Sequence, residues 1–424
     1  MMKVAVIGAG YVGVVTAAGL AALGHDVSVG EIDEAKVASL NRGSVPFYES
    51  GLDRLVSEGI DNGLLSFGTD NAAAVESAQV VMLALPTPPA EDGSADLAAI
   101  ETTLDGIAQN LRSGAIVVNK STVPVGSVRR FQRFLHERNA DATVVSNPEF
   151  LREGSAVGDF FHPDRIVIGS TNQAATETLI EMYRSIQAPV LTTDPASAEM
   201  IKYASNAYLA TRITFANALA NLCEHVGADA SSVIEGMGYD RRIGFHFMNP
   251  GPGYGGSCFP KDTSALVAIA EDAGYDFSLL KGVIEVNDLQ LERTVDKILA
   301  SLEGIDEPRV AQWGLAFKAG TDDVRESPAV KIVDALVSRG IDVTAYDPAV
   351  ATSPSAGLVI SEDPVEATKD ADVLVIATEW PQFGALDLRA VRDAMRGSTV
   401  VDARNLLDPL TVEQLGMSYS GIGR

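Results

Sequence analysis

A short apolar run, Lys3-Val-Ala-Val-Ile7, leads into Gly8-Ala-Gly-Tyr-Val-Gly13 and then into an alanine- and leucine-rich segment ending near Leu23. A second strand-like run follows, Val27-Ser-Val-Gly-Glu31. A GxGxxG triplet alone is weak evidence. Here it follows a strand, opens a helix, and is followed 18 residues after Gly13 by an acidic residue at a strand end. That is the context a dinucleotide-binding βαβ unit requires. Gly8, Gly10 and Gly13 permit the tight turn and let a pyrophosphate approach the helix N-terminus. Glu31 is placed to accept hydrogen bonds from an adenosine ribose, and its charge repels a 2′-phosphate, so NAD is expected over NADP.

The stretch from Val4 to Gly24 carries no charged residue and could pass for a signal peptide or a membrane span. Glycines at 8, 10, 13, 19 and 24 interrupt it, which favours strand, turn and helix. At 424 residues and 46% hydrophobic content the chain can hold two or three domains with sizeable cores. A formal charge of −25 argues against nucleic acid, which needs clustered Lys and Arg. An anionic small molecule would need local cations, and Lys202, Lys261, Lys318 and Arg325 are candidates. The two cysteines, Cys223 and Cys258, and the absence of zinc spacing point to a reducing cytosol without a bound metal.

Strands and helices alternate onward: Val80-Val-Met-Leu-Ala84, a proline-bearing loop at 86–89, a helix near 97–110, and Ala115-Ile-Val-Val-Asn119. Apolar runs without in/out alternation indicate parallel strands covered on both faces, with ligands at their carboxyl ends. Thr87, Ser121, Thr122 and Asn147 fall just past such ends and read together as a cofactor-facing rim. Glu149 and Glu153 are four apart and would form a carboxylate pair if their segment turned helically.

Thr193-Asp-Pro195 is a helix start, and the pattern persists to about Val226 before Gly227. Such a rod is roughly 48 Å long, a length suited to bridging domains or lining a dimer interface. It projects Lys202 and Asn206 from one face; an ordinary polar stripe would look the same. Helical patterns follow at about 229–236, 262–273 and 278–302, and a linker at 303–308. Strand-like runs then return at 309–314, 342–346, 372–377 and 398–402, echoing the N-terminal plan without its GxGxxG. The expected architecture is two Rossmann-like doubly wound α/β domains joined by a long central helix and a helical region. The expected boundaries are 1–193, 194–302 and 308–424.

The segment Gly251-Pro-Gly-Tyr-Gly-Gly-Ser-Cys-Phe-Pro-Lys-Asp262 carries the chemistry. Pro260 suits a first helical turn, which puts Cys258 where backbone N–H groups point outward and favour a thiolate, with Lys261 as a neighbouring cation. The loop reads as a covalent-catalysis site fed by a phosphate-bearing substrate. An inert buried thiol in a turn is the alternative.

Seven ordered motifs resemble the nucleotide-sugar 6-dehydrogenases, the UDP-glucose branch in particular, over nearly the whole chain. They are Gly8–Gly13, Ser121–Gly126, Asn147–Gly154, Pro163–Gly169, Arg242–Gly244, Gly255–Asp262 and Arg325–Ser327. The resemblance implies oxidation of a primary alcohol to a carboxylate by two hydride transfers to NAD, through a thiohemiacetal and a thioester on Cys258. Lys202 and Asn206 would stabilise the oxyanion; Asp262, Glu149 and Thr122 would handle water. Val12, Lys36, Thr87, Thr122, Glu153, Lys261 and Arg325 would join the glycines and Glu31 around NAD. The nucleotide sugar would meet Glu149, Phe150, Leu151, Arg152, Glu153, Lys202, Asn206, Phe247, Met248, Asn249, Pro250, Gly251, Gly255 and Lys318, with Arg242 reaching a neighbouring subunit. A homodimer through the central helix is implied. The family usually carries aspartate where Glu31 stands and a larger residue where Gly30 stands. GDP-mannose or another nucleotide sugar, a two-electron hydroxyacid oxidation, and a non-catalytic binder are the competing readings.

Overall fold

The computed structural model describes residues 1–90 and 93–424. The chain forms two compact units, residues 1–205 with 268–274, and residues 206–267 with 275–424.

The first unit begins with β1 (Lys3–Ile7), α1 (Tyr11–Ala22), β2 (Asp26–Gly30), α2 (Glu34–Leu40), α3 (Leu52–Asp61), β3 (Leu65–Gly68), α4 (Asn71–Val75) and β4 (Val80–Leu83). It continues through α5 (Ala98–Ile107), β5 (Ala115–Asn119), α6 (Ser127–Glu137), β6 (Ala142–Ser146), α7 (Ala156–Phe161), β7 (Ile166–Gly169), α8 (Gln173–Met182) and β8 (Val190–Thr193). The eight strands lie in the order β3-β2-β1-β4-β5-β6-β7-β8, parallel except where β7 meets β6. Both faces are covered: Val4 and Val6 point into one apolar cluster, Ala5 and Ile7 into the other. That double burial is why these strands read as unbroken apolar runs. The direction of winding reverses between β1 and β4, the switch point at which such sheets bind ligands.

Helix α9 (Pro195–Val226) joins the units and has the full 32 residues that the pattern implied. It is followed by α10 (Ala230–Gly238), α11 (Phe259–Asp272) and α12 (Ser278–Ala300). The second sheet is built from β9 (Arg309–Trp313), β10 (Asp342–Tyr346), β11 (Val359–Ile360), β12 (Val373–Ile376), β13 (Thr399–Asp402) and β14 (Ser418–Gly421). Its helices are α13 (Pro328–Val337), α14 (Leu388–Ala394) and α15 (Pro409–Gln414). The strand order β11-β10-β9-β12-β13-β14 repeats the winding of the first six strands of the other sheet, so the echo read in the sequence is a true repeat of plan.

The repeat extends to the backbone. Gly8 and Gly314 each follow the first strand of their sheet with φ of 98°, and each donates its N–H to the strand beside it, to Gly30 O and Tyr346 O, at 2.8 Å. The units differ in what comes next. Helix α1 starts three residues after Gly8, whereas α13 starts only at Pro328. Asp347 fills the gap, accepting from the Leu315 and Ala316 amides at 2.7 and 3.0 Å. The second sheet therefore lacks a helix N-terminus aimed at its switch point, the physical reason it carries no GxGxxG.

A side chain on Gly314 would meet Thr378 at 2.3 Å and would have to adopt a left-handed backbone. Gly314→Ala should therefore destabilise the protein by about 2 kcal/mol, read as an earlier urea-unfolding transition. An unchanged midpoint would contradict the repeat's dependence on this turn.

Candidate active site

The three fingerprint glycines have separable jobs. A Cβ on Gly8 would meet Ala84 O at 2.5 Å, and one on Gly13 would meet Gly8 O at 1.9 Å, so these two permit the turn and the close packing of α1 on β1. Gly10 is different: it is the N-cap of α1, with no side-chain cap and open space where a Cβ would lie. Uncapped amides facing open space suit a pyrophosphate. Val12 lies half-buried in that first turn. Glu31 is buried at the end of β2 and accepts from Ala9 N at 3.1 Å, Asp33 N at 3.2 Å and Lys36 Nζ at 3.0 Å. Burial opposes its ionisation, but Lys36 and the two amides outweigh burial and hold the carboxyl below its usual value. A carboxylate has about four acceptor sites, so room remains for a ribose hydroxyl. At Gly30 a Cβ would lie 2.3 Å from Asn71 Oδ1, so this position has no room for a side chain as Asn71 is placed. These residues fit a dinucleotide.

The rim past β4 and β5 divides. Thr87 Oγ1 donates to Thr122 O at 2.9 Å, and Ser121 Oγ donates to Leu85 O at 2.7 Å, so the two loops are tied to each other. Asn147 departs from the rim reading and turns inward, its Nδ2 on Val167 O at 2.7 Å and its Oδ1 accepting from Tyr183 Oη at 2.8 Å.

The helical turn that would put Glu149 and Glu153 on one face does not form. Residue 147 precedes a proline and is biased away from helix, and Glu149 bends back to accept from Leu151 N at 2.6 Å. Its other oxygen accepts from Lys202 Nζ at 2.8 Å, with both side chains almost wholly buried. Burial alone would raise the Glu149 carboxyl; the charge and hydrogen bond of Lys202, the Leu151 amide and the charge of Lys120 together hold it below the ordinary range. Phe150 lies under the Arg165 guanidinium, 3.5 Å from its ring centre, with Lys202 Nζ at 5.4 Å. Arg152 is spent on Asp159 at 2.5 Å, and Glu153 is half-buried nearby in sequence.

Lys120 is the residue that sequence reasoning missed in this unit. It is 7% exposed and donates to Asn147 O and Oδ1 at 3.2 and 3.1 Å. Burial pushes its ammonium down to about 8; Glu149 pulls the other way and Lys202 adds to the fall. A lysine directly after the apolar strand 115–119 was the available signal.

In the second unit, Cys258 O accepts from Asp262 N at 2.8 Å, which makes the half-buried Cys258 the N-cap of α11. The thiol therefore lies where the helix's first amides favour a thiolate. Asp262 is fully buried and accepts from Asn206 Nδ2 at 2.6 Å and Lys261 Nζ at 2.5 Å. Lys261 thus forms an ion pair with Asp262.

The loop before Cys258 is pinned by amide side chains that no motif flagged. Asn217 Oδ1 accepts from Gly251 N and Gln290 Nε2 donates to Gly251 O, both at 2.8 Å. Asn221 holds Gln290 at 2.7 Å, Asn287 Oδ1 accepts from Tyr254 N at 2.8 Å, and Gly256 N donates to Arg325 O at 3.1 Å. A Cβ on Gly255 would meet Glu326 O at 2.1 Å, which fixes that glycine sterically. Phe247 holds a left-handed φ of 60° and its ring meets Phe259 edge-on. Met248 packs into the cluster of Ala216 and Ile234, so a ligand could meet only its backbone. Pro250 is buried, Asn249 exposed and Lys318 half-buried beside Phe317. The Arg325 side chain is outward and held by Asp323 at 2.6 Å. Arg242 is likewise outward, on Asp240 at 2.5 Å, and is not brought to the other site residues of its unit.

Comparison with known proteins accords with this arrangement. The three domain profiles of the UDP-glucose/GDP-mannose dehydrogenase family match in order: the NAD binding domain over residues 2–187, the central domain over 196–289 and the UDP binding domain over 311–409. A UDP-glucose 6-dehydrogenase of Rhizobium meliloti is 45% identical, with both chains covered in full. The structure of a UDP-glucose dehydrogenase from Pyrobaculum islandicum superposes with a TM-score of 0.91 at 38% identity, over 100% of this chain and 98% of that one. A UDP-D-ManNAc dehydrogenase from Pyrococcus horikoshii gives 0.88 at 29% identity, over 100% and 99%.

Lys202→Met would leave the Glu149 carboxylate buried without its direct partner, at a cost of about 3 kcal/mol near neutral pH. Because the folded value of Glu149 is depressed, the pair's contribution is complete above the unfolded glutamate value of about 4.3 and is lost as pH falls through the lower folded value. Urea titrations of the two proteins should therefore differ most at pH 7 and converge below about pH 4; a gap constant with pH would refute the assignment.

Proposed function

Since this chain belongs to the UDP-glucose/GDP-mannose dehydrogenase family, we propose that it oxidises UDP-glucose to UDP-glucuronate with two NAD as hydride acceptors and one water. The observation that carries the reading is the half-buried Cys258 at the N-terminus of α11, on a loop clamped by Asn217, Gln290 and Asn287. An aldehyde has no hydride to give until a nucleophile adds to it, and a rigidly held thiolate supplies that nucleophile.

When bound, NAD accepts hydride from C6 of the sugar in each of the two oxidations. Gly8, Gly10, Gly13 and Val12 would cradle its pyrophosphate and Glu31 with Lys36 its ribose, with Thr87, Thr122, Glu153, Lys261 and Arg325 as further contacts. In the first oxidation the alcohol loses a proton as hydride leaves, and Lys202, bonded to Glu149, is the candidate acceptor. Cys258 Sγ then bonds to C6 and the aldehyde oxygen becomes an oxyanion, which Lys202 and Asn206 would stabilise. Loss of the second hydride leaves a thioester. Water oriented by Asp262, Glu149 and Thr122 breaks the C–S bond, releasing the carboxylate and returning the thiol. Phe247 to Gly251, Gly255 and Lys318 would hold the nucleotide sugar, as would residues 149–153.

We assign the work to three segments: NAD binding to 1–193, the thiol loop and dimer contacts to 194–302, and the UDP moiety to 308–424. The two thiols and the absence, among the described residues, of a helix able to cross a membrane are compatible with a cytosolic enzyme. A second copy of the chain is the proposed occupant of the outward face of α9. Tyr208, Phe215 and Leu222 are exposed at 62%, 53% and 56% and recur every seven residues. In such a dimer Arg242 would reach the partner's site.

The decisive measurement is NADH formed per UDP-glucose consumed, expected to be two, with GDP-mannose run alongside. Cys258→Ser should bind both ligands yet lose steady turnover by more than a hundredfold; complete conversion by that variant would exclude covalent catalysis. For assembly, Phe215→Asp is expected to convert a sedimenting dimer to monomer, and a monomeric wild-type protein would remove the dimer from the proposal.

A further inference from the structure

Ser257 has no part in the chemistry above, yet its hydroxyl reaches the sulfur. Ser257 Oγ lies 3.6 Å from Cys258 Sγ, within hydrogen-bonding range for so large an atom. The two residues are neighbours in the chain, so the contact has meaning only if the backbone holds both side chains still. It is held on both sides. Gly255 is fixed by Glu326 O, and Gly256 takes a left-handed φ of 81° with its N–H on Arg325 O at 3.1 Å. On the far side Cys258 O accepts from Asp262 N at 2.8 Å.

While the sulfur carries a proton, either atom can donate. Once it is a thiolate only the hydroxyl can, and a hydrogen bond to an ionised acceptor is roughly twice as strong as a neutral one. The contact therefore favours the charged sulfur. We propose that Ser257 is a further catalytic residue, donating its hydroxyl hydrogen bond to the Cys258 thiolate at the start and at the end of the covalent sequence. This rests on the function proposed above. In the addition step a sulfur electron pair forms the bond to C6 and the aldehyde π pair moves to oxygen, so the sulfur loses its charge. In hydrolysis the oxygen of water bonds to C6, the C–S pair returns to sulfur, and the protons of water pass to solvent. The hydroxyl then meets the charge as it reappears, which makes the sulfur a better leaving group.

The charged groups on the elements around this loop are themselves paired: Lys261 with Asp262, Arg325 with Asp323, Lys331 with Glu326, and Arg404 with Glu379. Lys318 and Tyr254 stand beside the rings of Phe317 and Phe259, and α12 meets the loop with the neutral amides of Asn287 and Gln290. Removing the Ser257 hydroxyl breaks none of these ion pairs. A change in the ionisation of the sulfur can thus be traced to the hydroxyl.

The first test needs no turnover. Alkylation of Cys258 by iodoacetamide, read by mass spectrometry on its own peptide, is followed against pH in the free enzyme. Ser257→Ala should move the midpoint upward by roughly half to one unit. Well below the midpoint the rate should fall about two- to fourfold, because fewer thiolates are present while each is a stronger nucleophile. Ser257→Gly also removes the hydroxyl and should match alanine; Ser257→Thr keeps it and should restore the wild-type midpoint. In the assay, Ser257→Ala should lower kcat about two- to fourfold, with KM for UDP-glucose little changed. An unmoved midpoint in folded Ser257→Ala or Ser257→Gly would overturn the proposal, as would an equal shift in Ser257→Thr, which would assign the effect to the loop. Absence of NADH from the wild-type enzyme with UDP-glucose would instead overturn the reaction assignment, and the alkylation profile would still decide whether the hydroxyl acts on the sulfur.

Discussion

One polar stripe on α9 supplies the fixed points on which the rest of the chain depends. Glu199 accepts from the Gly126 and Val128 amides at the start of α6, Lys202 holds Glu149, Asn206 holds Asp262, Asn217 holds Gly251, and Asn221 holds Gln290. At 3.6 residues per turn these five positions, with the buried Ala210 between them, fall on one side of the helix. An orphan donor or acceptor on a buried helix face costs about 1–3 kcal/mol, and along this stripe the bonds above leave Asn217 Nδ2 as a buried donor without a protein partner. The stripe thereby dictates which loops stop where.

The two α/β units share a winding and a first turn, and diverge in what occupies the switch point. In the first, three glycines keep the chain thin and the amides of α1 uncapped, which leaves an electropositive opening for an anion. In the second, Asp347 accepts from Leu315 N as Glu31 does from Ala9 N, but also from Ala316 N and, at 3.3 Å, from the Trp380 indole, and no helix begins until Pro328. A turn with no helix N-terminus behind it does not offer a pyrophosphate the same amides. The repeat has kept the scaffold and discarded the pocket, so a different ligand geometry is required of its loops.

Much of this was legible because the informative residues were forced by geometry. Strands covered on both faces leave unbroken apolar runs, so β1, β4, β5, β12 and β13 stood out, and a capped 32-residue pattern gave α9 almost to the residue. Less was visible where the signal was weak. β8 is largely exposed and β11 has two residues, so neither carries an apolar run. The Glu149 and Glu153 spacing misled because spacing presupposes a helix that Pro148 and the Glu149 to Leu151 turn prevent. The amides that clamp the thiol loop were hidden for a different reason. Asn217 and Gln290 are 0% and 1% exposed, yet in a helical repeat they look like any solvated polar residue. Periodicity locates a face but does not say whether its polar members are buried.

The two halves of the proposed machinery are built from different materials, and the difference has a physical logic. The thiol loop is held by neutral amides, which bond strongly to backbone groups and have only a modest desolvation cost, so they give rigidity without adding a net charge. The group proposed to move protons, Lys202, is instead bonded to a full charge, the buried carboxylate of Glu149, and charges of this kind are expensive to bury and interact strongly in a low dielectric. Rigidity would have been obtained more cheaply with amides there too. Charges are the material suited to a site in which one proton must be held in one step and released in another, because only a charge can make those two states differ little in energy while the atoms stay in place.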